Sequence, residues 1–156
     1  MILAMIFSTV LVLVTVLFHY ETLRFTWAQL PRLYLPPRQR ILVVIVALFA
    51  AHTIEVWLHA LAYFMLADHL GIGTFGGKFA GRFEDYLYFS ILTYTSLGFG
   101  DVYPLGGIRL LAGVETLTGL VMIAWSASFT YLTMEKFWPL HRRPRARTGT
   151  PRPRRA

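Results

Sequence analysis

Three long apolar runs limit what this chain can become. Residues 1–18, MILAMIFSTVLVLVTVLF, carry no charge, a second run opens with ten apolar residues from Ile41 to Ala50, and a third extends from about Ile108 to Met134. A predominantly apolar stretch of 18 or more residues is long enough to cross a hydrocarbon core of about 30 Å as a helix. In lipid every backbone N–H and C=O must find a partner within the protein, which leaves helices and closed barrels as the spanning structures. The expectation is an all-α integral membrane protein.

Composition agrees. Charged residues make up 15% of the chain and hydrophobic ones 56%, whereas a soluble domain carries about 25% charged residues. The absence of cysteine excludes a disulfide frame and a thiolate metal centre. A formal charge of +7 invites a nucleic-acid reading, but eight of the 15 basic residues lie at or beyond Lys136. Such a bias reads as membrane orientation, and no nucleic-acid partner is expected.

Residues 1–18 have no basic residue ahead of them and no small-residue cleavage site, so they read as a retained transmembrane helix and not as a secretory signal. Residues 19–40 carry Arg24, Arg32, Arg38 and Arg40 against the single acid Glu21, interleaved with Leu23, Phe25 and Trp27. Pro31, Pro36 and Pro37 forbid one continuous helix there, which suggests a cytoplasmic, interfacial connection. Residues 41–67 form a second span whose length as helix, about 40 Å, calls for tilt. A glycine-rich polar stretch at 68–82 precedes a short aromatic helix at 84–95, and the last span is 108–134. The tail at 135–156, rich in arginine and proline, is expected to be disordered or to lie on anionic lipid headgroups. With the basic segments inside, the N-terminus starts outside, residues 68–107 face outward and the C-terminus is cytoplasmic.

Between the short helix and the last span lies Thr95-Ser96-Leu97-Gly98-Phe99-Gly100-Asp101. Each glycine costs about 1 kcal/mol in a helix interior relative to alanine. Irregular backbone at membrane depth is tolerated only when it is buried in protein or lines a water-filled path. Gly98 and Gly100 can take positive φ at little cost, which lets the ribbon turn its carbonyls to one side while Leu97 and Phe99 face apolar packing. The arrangement points to a pore.

The whole stretch FSILTYTSLGFGDVYP resembles the pore helix and selectivity filter of tetrameric potassium channels, whose usual core is T-T-V-G-Y-G-D. The resemblance extends over residues 41–134 and implies an outer helix (41–67), a pore helix (84–95), a filter (96–100) and an inner helix (108–134), here preceded by one additional transmembrane helix. It further implies that Ser96, Leu97, Gly98, Phe99 and Gly100 offer oxygens to K+, that Thr95 supports the filter, and that Asp101 stands at the outer mouth. Passive conduction through a homotetramer, one chain with three further copies, follows from the same resemblance, with K+ as the permeant ion and no other cofactor. Phe99 stands where tyrosine is commoner, Ser96 replaces a threonine, Leu97 a valine, and Leu92 occupies a position where some relatives place an acid that braces the aspartate. The same residues leave a weakly selective cation channel as one alternative and a non-conducting subunit of other channels as another. Thirteen of the 15 basic residues are arginine, which suggests GC-rich coding and a bacterial inner membrane.

Two further groups stand out. Gly119 lies where similar channels carry an inner-helix hinge, and a small residue there also serves close helix packing. His52, Glu55 and His59 fall within about a 60° arc of one helix, and intramembrane ionisable groups are expensive and usually functional. They suggest a buried polar network, with a membrane-embedded metal-dependent enzyme as the alternative of another class. Glu115 falls about 10 Å below the outer end of its span, at the depth of His59 on the antiparallel one, so the two are expected to interact.

Overall fold

The computed structural model describes residues 2–137. Its elements in chain order are α1 (Ile2–Gln29), a 3-10 turn (Leu30–Arg32), α2 (Pro37–Phe64) with a π-helical extension (Met65–His69), β1 (Gly73–Gly77), α3 (Phe83–Tyr94), β2 (Val102–Gly106) and α4 (Ile108–Phe137). The segments 2–32, 37–69 and 108–137 are long and apolar enough to cross a membrane. The fold is therefore mostly helical, with three spans and the short α3 among them. The basic tail expected at 135–156 falls largely outside the described residues; its first three positions are the last turn of α4.

The first span is longer than its apolar run. α1 continues past residue 18 to Gln29, so the connection expected at 19–40 shrinks to the turn and a short extended stretch. The reason is local: nothing between Phe18 and Pro31 breaks a helix, Glu21 and Arg24 form an exposed i,i+3 pair at 2.9 Å, and His19, Leu23 and Thr26 point into the bundle. Pro31 sits in the 3-10 turn that closes α1. Pro37 begins α2 instead of interrupting it, with Pro36 extended ahead of it, because a proline in the first helical turn gives up an N–H that has no intrahelical partner anyway. The connection is held by Arg40, whose guanidinium donates to the carbonyls of Leu35 (3.0 Å) and Leu33 (3.2 Å). At this end of the bundle Lys136 lies over the Trp27 ring at 4.0 Å and Arg40 over that of Phe137 at 5.1 Å.

α1 packs against α2 and α4, and α3 is wedged between α2 and α4. Apolar burial follows the same plan. Leu23, Leu30, Val44 and Leu48 fill one end, Val56, Tyr94 and Met122 the middle, and Ala60, Tyr63, Leu66, Tyr86, Phe89 and Ile108 the end that holds the ribbon.

Among the described residues, that ribbon is the departure from an all-helical set of elements. β1 pairs antiparallel with β2, Gly73 opposite Gly106 and Gly77 opposite Val102, so the glycine-rich stretch runs beside the residues that follow the Thr95–Asp101 segment. Gly77 makes the approach feasible: it has φ +89°, and a Cβ there would lie 2.0 Å from the Asp101 carbonyl oxygen. Phe75 seats the ribbon on the bundle, its ring 5.7 Å from Tyr63, 5.4 Å from Tyr86 and 4.9 Å from Phe89.

Candidate functional site: the segment from Thr95 to Asp101 and its supports

The irregular segment begins where α3 ends. The Thr95 N–H and hydroxyl both donate to the Ile91 carbonyl, at 3.1 and 2.7 Å. The Ser96 N–H reaches Thr93, and those of Leu97 and Gly98 reach Leu92, at 3.0, 2.9 and 3.3 Å. Three N–H groups thus fold back onto the last turn of α3. From here the backbone alternates: φ is +60° at Ser96, +51° at Gly98 and +80° at Gly100. Glycine serves this conformation at 98 and 100. Ser96 adopts it against the ordinary cost for a residue with a Cβ, a feature the sequence did not announce.

Ser96 through Gly100 are exposed on the single chain, with Leu97 at 56% and Phe99 at 66% exposure. The apolar packing anticipated for these two side chains is not supplied from within the described residues. Asp101 is held firmly. Its carboxylate accepts from Tyr88 of α3 at 3.0 Å and from the Val102 N–H at 3.1 Å, and its carbonyl accepts from the Lys78 N–H at 2.8 Å. Desolvation and the Asp101 carboxylate push the Tyr88 phenol above its ordinary pKa, so it stays a donor. Leu92, read from sequence as a lost brace for this aspartate, is buried, and Tyr88 ties Asp101 to α3 in its stead.

α3 itself is pinned at both ends. At its start the Asp85 carboxylate accepts from the N–H groups of Ala80 (3.0 Å) and of the N-cap residue Arg82 (3.1 Å), the side-chain half of a capping box, and the Tyr86 hydroxyl donates to Asp68 at 2.6 Å. Burial and that carboxylate push the Tyr86 phenol up as well. At its end Tyr94 is 1% exposed. Its hydroxyl donates to Glu55 and its carbonyl lies against Gly119 of α4, where a Cβ would approach the oxygen to 2.1 Å. Of the two readings of Gly119, the close approach is the one with a contact to explain it.

The intramembrane polar residues are brought together differently from expectation. His52 and Glu55 do meet, with His52 Nδ1 3.3 Å from Glu55 Oε2. The second imidazole at Glu55 comes from α1: His19 Nδ1 is 2.8 Å from Oε1. His59 instead donates Nδ1–H to the Glu55 carbonyl one turn back, at 2.8 Å. The expected contact between His59 and Glu115 is not made among the described residues; Glu115 accepts from Tyr63 and faces Ser90. α3 lies between α2 and α4 here, and its Ser90 takes the carboxyl. His19 escaped notice because it lies just past the apolar run, where a polar residue reads as the end of a span.

A family profile described as Ion channel matches residues 41–136. The chain belongs to the ion channel family. The matched stretch runs from α2 through α3 and the Thr95–Asp101 segment to the end of α4, leaving α1 outside it. Comparison with curated proteins and with solved structures gives no match. The channel is integral to the membrane, and its family membership points to a transport role and not an enzymatic one.

Proposed function

We propose that the channel conducts K+ passively through a ring of four chains, with the carbonyls of Leu97, Gly98, Phe99 and Gly100 and the Ser96 hydroxyl as successive ligands. The observation that carries this reading is the alternation of positive φ at Ser96, Gly98 and Gly100 directly after a pinned short helix. Alternating backbone of this kind turns successive carbonyls toward one side, and an ion leaving water needs such a set of oxygens in place of its hydration shell. One chain supplies one face of a path, and the exposure of Leu97 and Phe99 is what a segment completed by neighbouring copies presents. The C-terminal end of α3 directs its partial negative charge toward the segment, which favours a cation there.

The end of the bundle that carries Arg24, Arg32, Arg38 and Arg40, together with the tail, belongs on the cytoplasmic side, with the ribbon and Asp101 facing outward, in what we take to be a bacterial inner membrane. Four Asp101 carboxylates around the mouth would concentrate cations. Reconstitution of the purified protein in vesicles tests the proposal. A potassium flux blocked by barium is expected, with a reversal potential close to that for K+ in a K+/Na+ gradient and a detergent-solubilised mass of four chains. G98A/G100A should lose the flux while keeping that mass. A reversal potential near zero would replace potassium selectivity with general cation conduction, and intact tetramers without flux would replace conduction with a non-conducting role.

A further inference from the structure

The His19–His52–Glu55 cluster lies outside the ion path described above. One ligating atom from each of the three residues falls within 4.8 Å of the other two. His19 and Glu55 are fully buried, whereas the His52 side chain is 22% exposed. We propose that these residues form a binding site for a divalent transition metal of the zinc class, bridging α1 and α2 beside the end of α3.

The orientation of the rings carries the inference. Both Nδ1 atoms face the Glu55 carboxylate, at 2.8 Å from His19 and 3.3 Å from His52. Both Nε2 atoms face a single acceptor, the Ser126 hydroxyl of α4, at 3.2 and 3.0 Å. A ligating histidine needs one nitrogen bare and the other nitrogen donating its proton to an acceptor that fixes the tautomer. Ser126 provides that acceptor for two imidazoles at once and leaves both Nδ1 lone pairs aimed at one place. Two imidazoles and a carboxylate suit zinc and its neighbours better than Ca2+ or Mg2+, which take oxygen ligands. Three protein ligands are the set of a site with an open fourth position, and here that position lies toward the Tyr94 hydroxyl, 2.8 Å from His52 Nδ1.

Access is from the side. His52, Tyr94 and Ser126 line a cavity of about 560 Å³ between α2, α3 and α4, which leaves the His52 edge of the cluster open on the single chain. Without metal, Ser126 donates to His19 Nε2 and accepts from His52 Nε2–H, Glu55 accepts from His19 and Tyr94, and His52 Nδ1 stays bare beside the Tyr94 hydroxyl. Uptake is therefore reversible in design. A metal takes over the Glu55 oxygen that receives the Tyr94 hydroxyl, and so acts on the residue that ends α3.

The test uses the untagged, full-length protein in detergent, stripped with chelator. Titration with Co2+ should produce the visible absorption of tetrahedral nitrogen–oxygen coordination at one ion per chain, and Zn2+ should displace it. H19Q and H52Q should each abolish the band, S126A should weaken binding by about 10- to 100-fold, and H69Q, on an exposed residue, should leave it unchanged. Zn2+ should raise the melting temperature of the wild type but not of H19Q, a comparison that stands even if the variant is less stable. No band and no zinc-dependent shift in the wild type would overturn the proposal. So would binding that survives H19Q or H52Q, or that is lost in H69Q. Because no conduction is measured, the outcome is independent of whether the channel passes K+.

Discussion

At the scale of single residues, the contacts that shape the Thr95–Asp101 segment are made by side chains with little prominence in the sequence. Gly119 is an instance. Its missing Cβ leaves room for the Tyr94 carbonyl, and an added methyl would meet that oxygen at 2.1 Å, a clash with backbone that no rotamer relieves. G119A is expected to displace the end of α3 and to cost about 1–3 kcal/mol, the range for overpacking in a well-filled interior. Thermal melting of the purified protein measures the loss, and potassium flux should fall with it. A variant as stable as wild type with altered opening alone would return Gly119 to the role of hinge. Tyr88 was equally quiet in sequence, one aromatic among several on α3, yet it alone on that helix reaches the Asp101 carboxylate.

At the scale of elements, what was legible were the features that a local window can hold. The apolar runs announced three spans, and T-S-L-G-F-G-D between α3 and α4 announced an irregular segment with positive φ at Gly98 and Gly100. The ribbon was not legible, because β1 and β2 are separated by the whole of α3 and their pairing depends on glycines that permit close approach. The second half of α1 was hidden for a different reason: His19, Glu21, Arg24 and Thr26 lower the local hydropathy, although two of them point inward and two outward. α3 is held by ties to α2, to α4 and to Asp101, and the tie that Tyr88 makes to Asp101 is sensitive to pH. The Tyr88 phenol is raised above its ordinary value of 10.0, so the folded protein holds that proton more tightly than the unfolded chain does. The stabilisation is fully present below pH about 10 and is lost as pH rises through the folded value. Wild-type flux should therefore be insensitive to this group at neutral pH and decline in alkali. Y88F should lower the stability of the Thr95–Asp101 segment at every pH and remove this group's share of the alkaline decline, which a flux series from neutral to alkaline pH will measure.

At the scale of the whole molecule, α1 is part of the channel's packed interior even though the family match begins after it. It contributes Leu23 to one core cluster, with Leu30 of the 3-10 turn behind it, and His19 to the acid at the centre of α2. The second of these bears on how the protein enters the membrane at all. A charged residue near the middle of a span costs about 3 kcal/mol at insertion, and Glu55 would impose that cost on α2 if it were inserted alone. α1 is synthesised first and is joined to α2 by a connection of a few residues, so the imidazole at His19 is already at the right depth when Glu55 arrives. α1 thus serves as a built-in escort whose His19 offers a hydrogen bond to the acid of its successor. Insertion efficiency, read by glycosylation of flanking acceptor sites, should be higher for α2 following α1 than for α2 alone. H19L should remove most of that advantage while making α1 more apolar, and E55L should make α2 indifferent to its predecessor.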